Sequence, residues 1–425
     1  MSFKTIRDKF AVTLGNSLDW YDFALYGYFA AIFAKLYFPN QDNLTSILSS
    51  LGTWSIGFAA RPIGSLIFGS IGDKYGRVRA FKIASKLIFI PVCLIPILPT
   101  YEQIGIIAPL LLILCRIVQG ICIGGEFAGG FIYLVESSPK NKTFFAGSLG
   151  SCTGLIGIIT ASFVSMLFYK FCTLEFIETI GFRIAFSFAI VFAFISYKLR
   201  CSISETLEYK ELQQNQKVIA SPLKEVFRFN KASLLKAFGL VFMHANTFYF
   251  VFIFLNIYKT QVLGIKEETS LSNNTLLLLI NLISVPLIGK LADKIGGKKI
   301  LYFSAIMFIL FSYPLFKLIE VPKYTFLAMF LLSFMTILDS GVVPGLQVKV
   351  IPTKIRFTGM SLVFNVVWGI FGGSVPLICL WLIKFTGNKY IPSLYIIFSA
   401  CITFITLFFI QSKPLDLRTR NDASA

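Results

Sequence analysis

Long apolar segments alternate with short polar ones along almost the whole chain. The apolar segments cover roughly residues 11–37, 50–69, 80–98, 106–134, 144–169 and 181–199, and then 234–258, 271–292, 300–319, 324–349, 357–383 and 391–410. Each is about as long as the ~20 residues that a helix needs to cross the ~30 Å hydrocarbon core of a bilayer. The pattern predicts an all-α membrane protein with twelve transmembrane helices in two pseudo-symmetric six-helix bundles.

The polar stretch between the two sets of apolar segments divides the chain into domains. We predict an N-terminal bundle over residues 1–199, a linker with a short surface helix over 200–233, a C-terminal bundle over 234–411 and a tail over 412–425. The linker is rich in Lys and Gln and mixed in charge, as solvated segments are. The first apolar segment is too long for a removable signal peptide, so we expect it to remain as a transmembrane helix.

A glycine-rich, charged motif occurs at the matching place in each half. The first hairpin, residues 69–79, reads GSIGDKYGRVR, and the second hairpin, residues 289–299, reads GKLADKIGGKK. Such a repeat indicates a duplicated bundle, the architecture of secondary transporters. Because glycines permit tight turns and a carboxylate is favoured at a helix N-terminus, we predict a conformational latch. Its residues are Gly69, Asp73, Gly76, Arg77 and Asp293; the alternative for Arg77 is that it only follows the positive-inside rule.

Composition excludes several classes of protein. Hydrophobic residues make up 56% of the chain and charged residues 14%, with a mean hydropathy of +0.76, more apolar than a soluble protein of this size. The formal net charge of +18 could suggest a nucleic-acid partner. If the helices cross the membrane in turn, every second polar segment lies on the same side, and most of the Lys and Arg fall in one such set of segments. That side is then cytoplasmic and carries both termini. We therefore predict contacts with membrane lipids and no nucleic-acid binding. The eight cysteines show no metal-ligand spacing, and no cofactor is predicted.

Ionisable residues within the apolar segments are the main functional candidates. A charge at bilayer depth is costly and usually faces a partner or a wet cavity. In the first and fourth segments the polar residues recur at steps that place them on one arc of a helix, so we expect each stripe to face a central cavity. We predict that carboxylates there couple protons, while arginine, amide and aromatic groups bind substrate. The proton-coupling candidates are Asp19, Asp22 and Glu126, and the substrate-binding candidates are Trp20, Tyr26, Arg61, Arg116 and Gln119.

Some of these residues have a structural alternative. Asp22 and Arg61 could form a static ion pair that only holds helices together. His244, the single histidine, lies among apolar residues, where a packing role competes with that of a proton relay. Asp339 is the acidic candidate of the second half, although buried polar groups there commonly make interhelical hydrogen bonds.

Several motifs together carry a resemblance to a known family. The first hairpin and RIVQG at 116–120 resemble signatures of the major facilitator superfamily, and the whole chain resembles its metabolite:proton symporters, which include proline/betaine and alpha-ketoglutarate transporters. The narrower match rests on GNSLDWYDF at 15–23, RPIG at 61–64, GGEF at 124–127, ESSP at 136–139 and PTKIR at 352–356. The chain departs from that family in having Asp19 where Glu is usual and Thr143 and Phe144 where an Arg-Gly pair is usual.

The resemblance implies a transporter of the bacterial cytoplasmic membrane that moves a small metabolite with protons by alternating access. Arginines would suit a carboxylate, and aromatic rings would suit a quaternary ammonium group, so dicarboxylate-like and proline/betaine-like substrates both stay open. A solute sensor or gated channel on the same fold is the alternative. An enzyme is not expected, because no nucleophile and base occur at helical spacing. We expect a monomer.

Overall fold

The computed structural model describes residues 17, 20–75, 77–124, 131–132, 134–135, 138–201, 231–351 and 356–410. Within these ranges the side chains of residues 69–70, 72–75, 77–78, 81, 140, 199–201 and 356–357 lie outside the description. The described residues form twelve helical spans, α1 to α12, six in each half. The predicted all-α, two-bundle fold class is confirmed. Most of the predicted linker, and the tail, lie outside the described residues.

The N-terminal half contains α1 to α6. The first span, α1, covers residues 20–37, with a turn at Phe29 before its last part, Ala30–Tyr37. The others are α2 (Asn43–Ala59 and Arg61–Tyr75), α3 (Arg77–Leu94), α4 (Ile107–Gly124, with further helical residues at 131–132 and 134–135), α5 (Thr143–Phe171) and α6 (Leu174–Phe176, Ile177–Gly181 and Phe182–Cys201).

The C-terminal half contains α7 to α12. These are α7 (Lys231–Gln261), α8 (Glu267–Ile295), α9 (Gly297–Leu318), α10 (Thr325–Ser340 and Val343–Val350), α11 (Arg356–Phe364, Asn365–Gly372 and Val375–Thr386) and α12 (Ile391–Phe408). In the described part of the chain, nine helices are individually long and apolar enough to cross a bilayer. The spans outside that group are α1, α2 and α3.

The packing of the helices repeats between the halves. In the first half α3 packs on α6 and α2 on α4; in the second α9 packs on α12 and α8 on α10. The halves meet where α5 lies along α8 and where α2 lies against α11. We call the end where α2 meets α3, α4 meets α5, α8 meets α9 and α10 meets α11 the hairpin end, and the opposite end the loop end.

Glycines allow α2 and α4 to approach until their backbones touch. A Cβ atom added to Gly57 would lie 3.0 Å from the carbonyl oxygen of Arg116, and one added to Gly120 would overlap the carbonyl oxygen of Gly57. Any larger residue at these positions would push the helices apart. The close crossing therefore determines the direction in which the Arg116 side chain of α4 extends into the first bundle.

Three spans contain a wider, π-helical turn. These turns are Ile177–Gly181 in α6, Phe250–Phe254 in α7 and Asn365–Gly372 in α11. Such turns rotate the following side chains around the helix axis and are frequent at functional sites. In α7 the turn directly follows Tyr249, and in α11 the turn contains Trp368.

Candidate functional site

A cavity lies between the two halves, and the space between its lining atoms, part of it open to solvent, is about 530 Å³. The first half contributes residues of α1, α4 and α5, and the second half contributes residues of α7, α10 and α11. The lining residues used below are Trp20, Ser151, His244, Phe248, Gln347 and Trp368. Because both halves form its wall, any movement of one half relative to the other would change the contacts of a molecule bound in this cavity.

Aromatic rings from both halves surround Trp368. Its ring meets that of Trp20 edge-on at 5.8 Å, lies 5.5 Å from Phe248 and 5.7 Å from Tyr249, and stacks on Phe364 at 5.3 Å. Electron-rich ring faces attract a cation that has shed its water, above all the diffuse charge of a quaternary ammonium group. The cavity therefore suits an organic cation on its aromatic side.

Buried hydrogen-bond donors stand beside these rings without a partner among the described residues. They are Nε2 of Gln347, Nε1 of Trp368 and the hydroxyl of Tyr249, and each of the three residues is at most 7% exposed. Gln347 and Trp368 line the cavity, whereas Tyr249 lies behind Trp368. An unsatisfied buried donor costs about 1–3 kcal/mol, so several of them close together call for an acceptor. The donors can bind an acceptor such as a carboxylate.

One acid–base pair of the second half borders the cavity. Nδ1 of His244 lies 2.8 Å from Oδ1 of Asp339, and the Thr247 hydroxyl donates to Oδ2 of the same carboxylate at 3.1 Å. Asp339 is fully buried, and the Trp368 ring lies edge-on to the imidazole at 5.0 Å. The pair thus joins α7 to α10 directly behind an aromatic wall of the cavity.

A second acid–base pair lies inside the first half. Nη1 of Arg116 lies 2.5 Å from Oδ2 of Asp22, and Nε2 of Gln119 donates to the same oxygen at 3.1 Å. The guanidinium group also lies 4.4 Å from the centre of the Tyr26 ring. Asp22 and Gln119 line a separate cavity of about 310 Å³ among α1, α3, α4 and α6. These predicted residues are brought together, but within one bundle rather than around the central cavity.

Arg61 does not form the static ion pair with Asp22 that was the structural alternative to its predicted role in substrate binding. It is 1% exposed, and its guanidinium carbon lies 5.5 Å from the Trp20 ring and 5.4 Å from the Phe58 ring. The structure pairs Asp22 with Arg116 instead, because α4 crosses α2 closely and delivers Arg116 to α1. Of the substrate-binding candidates, Trp20 lines the central cavity and Arg61 lies behind it.

Contacts between the halves occur at both ends. At the hairpin end the Asp293 carboxylate accepts the backbone N–H groups of Phe144 and Phe145 at 2.9 and 3.0 Å, where the N-terminus of α5 favours negative charge. At the loop end Lys384 of α11 forms an ion pair with Asp42, and Asn274 of α8 donates to the Tyr28 hydroxyl at 2.9 Å. The central cavity lies between these two sets of contacts.

The other predicted residues can be placed only in part. Gly69 and Asp73 belong to the last turns of α2 and Arg77 begins α3, but their side chains are outside the described part of the chain. Asp19, Gly76 and Glu126 lie outside the described residues altogether.

Sequence reasoning missed most of the second half's contribution. It gave His244 a packing role as the first choice and named neither Gln347 nor Trp368. The available signal was weak but present: each is a polar or amphipathic residue within a long apolar helix. The pattern does not give the rotation of each helix about its own axis, and that rotation decides whether such a residue faces a cavity.

Comparison with known proteins gives consistent matches. The family model of the Major Facilitator Superfamily matches residues 12–376. The chain is 29% identical to the glycine betaine/proline/ectoine/pipecolic acid transporter OusA of Dickeya dadantii (strain 3937), over 95% of this chain and 83% of that protein. It is 32% identical to the putative proline/betaine transporter of Staphylococcus haemolyticus (strain JCSC1435), over 94% of this chain and 86% of that protein. The partially occluded, inward-open structure of the xylose transporter XylE from E. coli has a similar fold, with a TM-score of 0.73 and 16% identity over 96% of this chain and 97% of that one.

Proposed function

The chain belongs to the Major Facilitator Superfamily, and we propose that it is a symporter that accumulates a small zwitterion of the proline or betaine type together with protons. It is a multi-pass membrane transporter and not an enzyme. Within the broader range of zwitterionic and carboxylate metabolites that the sequence leaves open, a zwitterion fits this chain best.

The observation that carries the proposal is the chemistry of the central cavity. Its rings, including Trp20, Phe248 and Trp368, suit a quaternary or secondary ammonium group, and the free donors of Gln347 and Trp368 suit a carboxylate. A molecule with both groups a few ångströms apart satisfies both parts of the wall at once. A dicarboxylate would leave the aromatic part unused, and a sugar would leave it without a cation.

Alternating access follows from the contacts at the two ends. Opening at the hairpin end requires Asp293 to leave the α5 N-terminus, and opening at the loop end requires Asp42 and Lys384 to separate. Rocking the two bundles about the cavity would break one set of contacts and keep the other. We propose that the hairpin end is cytoplasmic in a bacterial inner membrane, with both chain termini on that side, and that the protein acts as a monomer.

Several site assignments belong to the same proposal. Asp19 and Glu126 remain candidates for proton coupling, as does Asp22. Arg61 is a candidate for substrate binding through its position behind Trp20. Arg116 and Gln119 would contact substrate only if their group with Asp22 became open to the central cavity.

Reconstitution in proteoliposomes tests the function. The purified protein is given an inward proton gradient, and radiolabelled glycine betaine uptake is measured in competition with proline, alpha-ketoglutarate and xylose. We expect accumulation above equilibrium, collapse by an uncoupler, and competition by proline alone. Flux that only equilibrates and ignores the gradient would instead indicate a channel, and binding without flux would indicate a solute sensor.

A further inference from the structure

We propose that His244 and Asp339 form the proton-exchanging pair of this transporter, and that loss of their shared proton weakens binding of the solute carboxylate in the central cavity. The inference rests on the proposed symport function and adds to it a site in the second half. It is independent of the candidates Asp19 and Glu126. Its basis is the geometry of two buried acid–base pairs, one in each half.

The two pairs occupy equivalent helices with the acid and the base exchanged. In the first half the acid, Asp22, is on the first helix and the base, Arg116, is on the fourth. In the second half the base, His244, is on the first helix of that half and the acid, Asp339, is on its fourth. All four residues are at most 5% exposed. Each pair therefore ties the same two helices of its own bundle together.

Only one of the pairs has a base that can exchange a proton at physiological pH. A guanidinium group keeps its proton throughout that range, so in the Asp22–Arg116 pair only the carboxylate can take up a proton. An imidazole is the side chain whose ordinary titration range spans neutrality. The pair with His244 can hold one shared proton and be neutral overall, or release it and carry one negative charge. Water takes up the released proton, and no other co-reactant is needed.

Apart from Asp339, the described residues that face the His244 imidazole carry no charge. Helices α10, α11 and α12 pack against this part of α7. Among the described residues, the imidazole faces Asp339 of α10 and the uncharged ring of Trp368 of α11. From α12, the Thr403 hydroxyl accepts a hydrogen bond from the backbone N–H of the neighbouring Met243.

More distant ionisable groups have weaker influence. Lys236 on α7 and Lys349 on α10 are eight and ten residues away from His244 and Asp339, which is about 12 and 15 Å along a helix. The phenols of Tyr249 and Tyr395 ionise only near pH 10 in ordinary surroundings. Among the described residues of this region, Arg61 carries a permanent charge and lies beyond the Trp20 ring.

The position of the pair links it to the bound solute. His244 lines the central cavity together with Gln347 and Trp368, whose free donors suit a carboxylate. A deprotonated, negative pair next to that carboxylate repels it, whereas the protonated pair does not. Proton and solute therefore favour each other's binding, which is the sign that symport requires, and the coupling is reciprocal.

Glycine betaine binding and transport by two variants test the inference. Asp339→Asn removes the carboxylate, so the site can no longer become negative, and His244→Gln keeps a hydrogen-bond donor but removes the imidazole that takes up the proton. For wild type we expect about tenfold weaker glycine betaine binding at pH 8 than at pH 6. In both variants that ratio should fall to about one, pH-driven accumulation should be lost, and counterflow in the absence of a gradient should persist. If either variant still accumulates glycine betaine with the wild-type pH dependence, the proposal is overturned.

A matched control and a fold-independent readout accompany the variants. Asn246→Ala removes a buried polar side chain of α7 that bonds to Ser399 of α12, away from the cavity, and should leave the pH dependence unchanged. If the variants fail to fold, the wild type decides: protonation of His244 should quench Trp368 fluorescence, and saturating glycine betaine should move that transition about one pH unit upward. A wild type that transports glycine betaine without such a transition contradicts this inference alone, whereas a wild type that does not transport any zwitterion contradicts the proposed function.

Discussion

The buried ion pair between Asp22 and Arg116 provides the most direct test of how the first bundle is held together. We predict that Asp22→Asn lowers the free energy of unfolding by about 3–5 kcal/mol, the usual loss when one partner of a buried pair is removed. The substitution keeps the shape of the side chain, so the loss reflects the missing charge and not a new cavity.

The magnitude follows from the geometry of the pair. The 2.5 Å contact between Nη1 and Oδ2 puts the two charge centres about 4 Å apart, where their attraction is about 4 kcal/mol at an effective dielectric constant near 20. The hydrogen bond from Gln119 at 3.1 Å ends on the same oxygen and also loses its charged acceptor. Asparagine leaves the Arg116 charge buried, with the hydrogen bond from its Nη1 to Oε1 of Gln119 at 2.9 Å and the Tyr26 ring at 4.4 Å as remaining contacts but no counter-charge.

A double-mutant cycle separates the pair from its surroundings. Wild type, Asp22→Asn, Arg116→Gln and the double variant are unfolded reversibly in mixed micelles with increasing SDS. We expect each single variant to lose about 3–5 kcal/mol and the double variant to lose no more than one single variant, because a wholly neutral cluster buries no uncompensated charge. Additive losses, or a single variant within about 1 kcal/mol of wild type, would refute the assignment of this pair as a desolvated structural contact.

Three further predictions concern helix contacts. Asp293→Ala removes the carboxylate at the α5 N-terminus, so the hairpin end should open more often and alkylation of Cys152, in a chain with its other cysteines replaced, should be several-fold faster. Gly120→Ala forces a Cβ atom into the α2 backbone and should cost about 1–3 kcal/mol in the same micelle titration. The hydrogen bond from Lys384 lowers the pKa of Asp42 to about 2, so this loop-end contact should persist above about pH 4 and be lost only as the pH falls through about 2. Hydrogen exchange near residue 42 should therefore show equal protection at pH 5 and pH 8, and reduced protection in Asp42→Asn.

Controls for these predictions are available in the same helices. Gly52→Ala adds a Cβ atom to α2 where nothing lies within 4 Å, and it should be neutral or stabilising by up to about 1 kcal/mol. If it costs as much as Gly120→Ala, helix propensity and not crossing distance explains the loss. Unchanged Cys152 alkylation in Asp293→Ala would show that the α5 contact does not hold the hairpin end closed. A dependence of loop-end protection on pH between 5 and 8 would contradict the position of the Asp42 titration.

The helices could be predicted from the sequence because a bilayer demands long apolar segments. The ends could not be placed closely: the second segment was expected at 50–69, whereas α2 extends over Asn43–Ala59 and Arg61–Tyr75. Polar residues such as the Asp42 cap continue a helix beyond the hydrocarbon, where hydropathy no longer marks it. The π-helical turns of α7 and α11 have no signal in the apolar pattern, because they depend on packing between helices.

The residues of the first bundle could be predicted more easily than their partners. Periodicity placed Asp22 and Tyr26 on one face of α1, and Arg116 and Gln119 on one face of α4, and these four residues do meet in the structure. Periodicity cannot give the azimuth of one helix relative to another, which is why Asp22 and Arg61 were considered as a pair. The close crossing of α2 and α4 decides that question, since it directs Arg116 toward α1.

The second bundle's pair was hidden by treating its two residues separately. A lone histidine in an apolar helix is most often a packing residue, and Asp339 is 95 positions away in sequence. The duplication, however, relates the halves by the offset between the hairpins, which begin at Gly69 and Gly289, an offset of 220 residues. Applied to Asp22 and Arg116, that offset ends two residues before His244 and three before Asp339, less than one helical turn in each case. An intramembrane acid–base pair inferred in one half of a duplicated bundle is therefore a reason to look for its counterpart in the other half, and the identity of the base there decides whether the counterpart holds its charge or exchanges a proton.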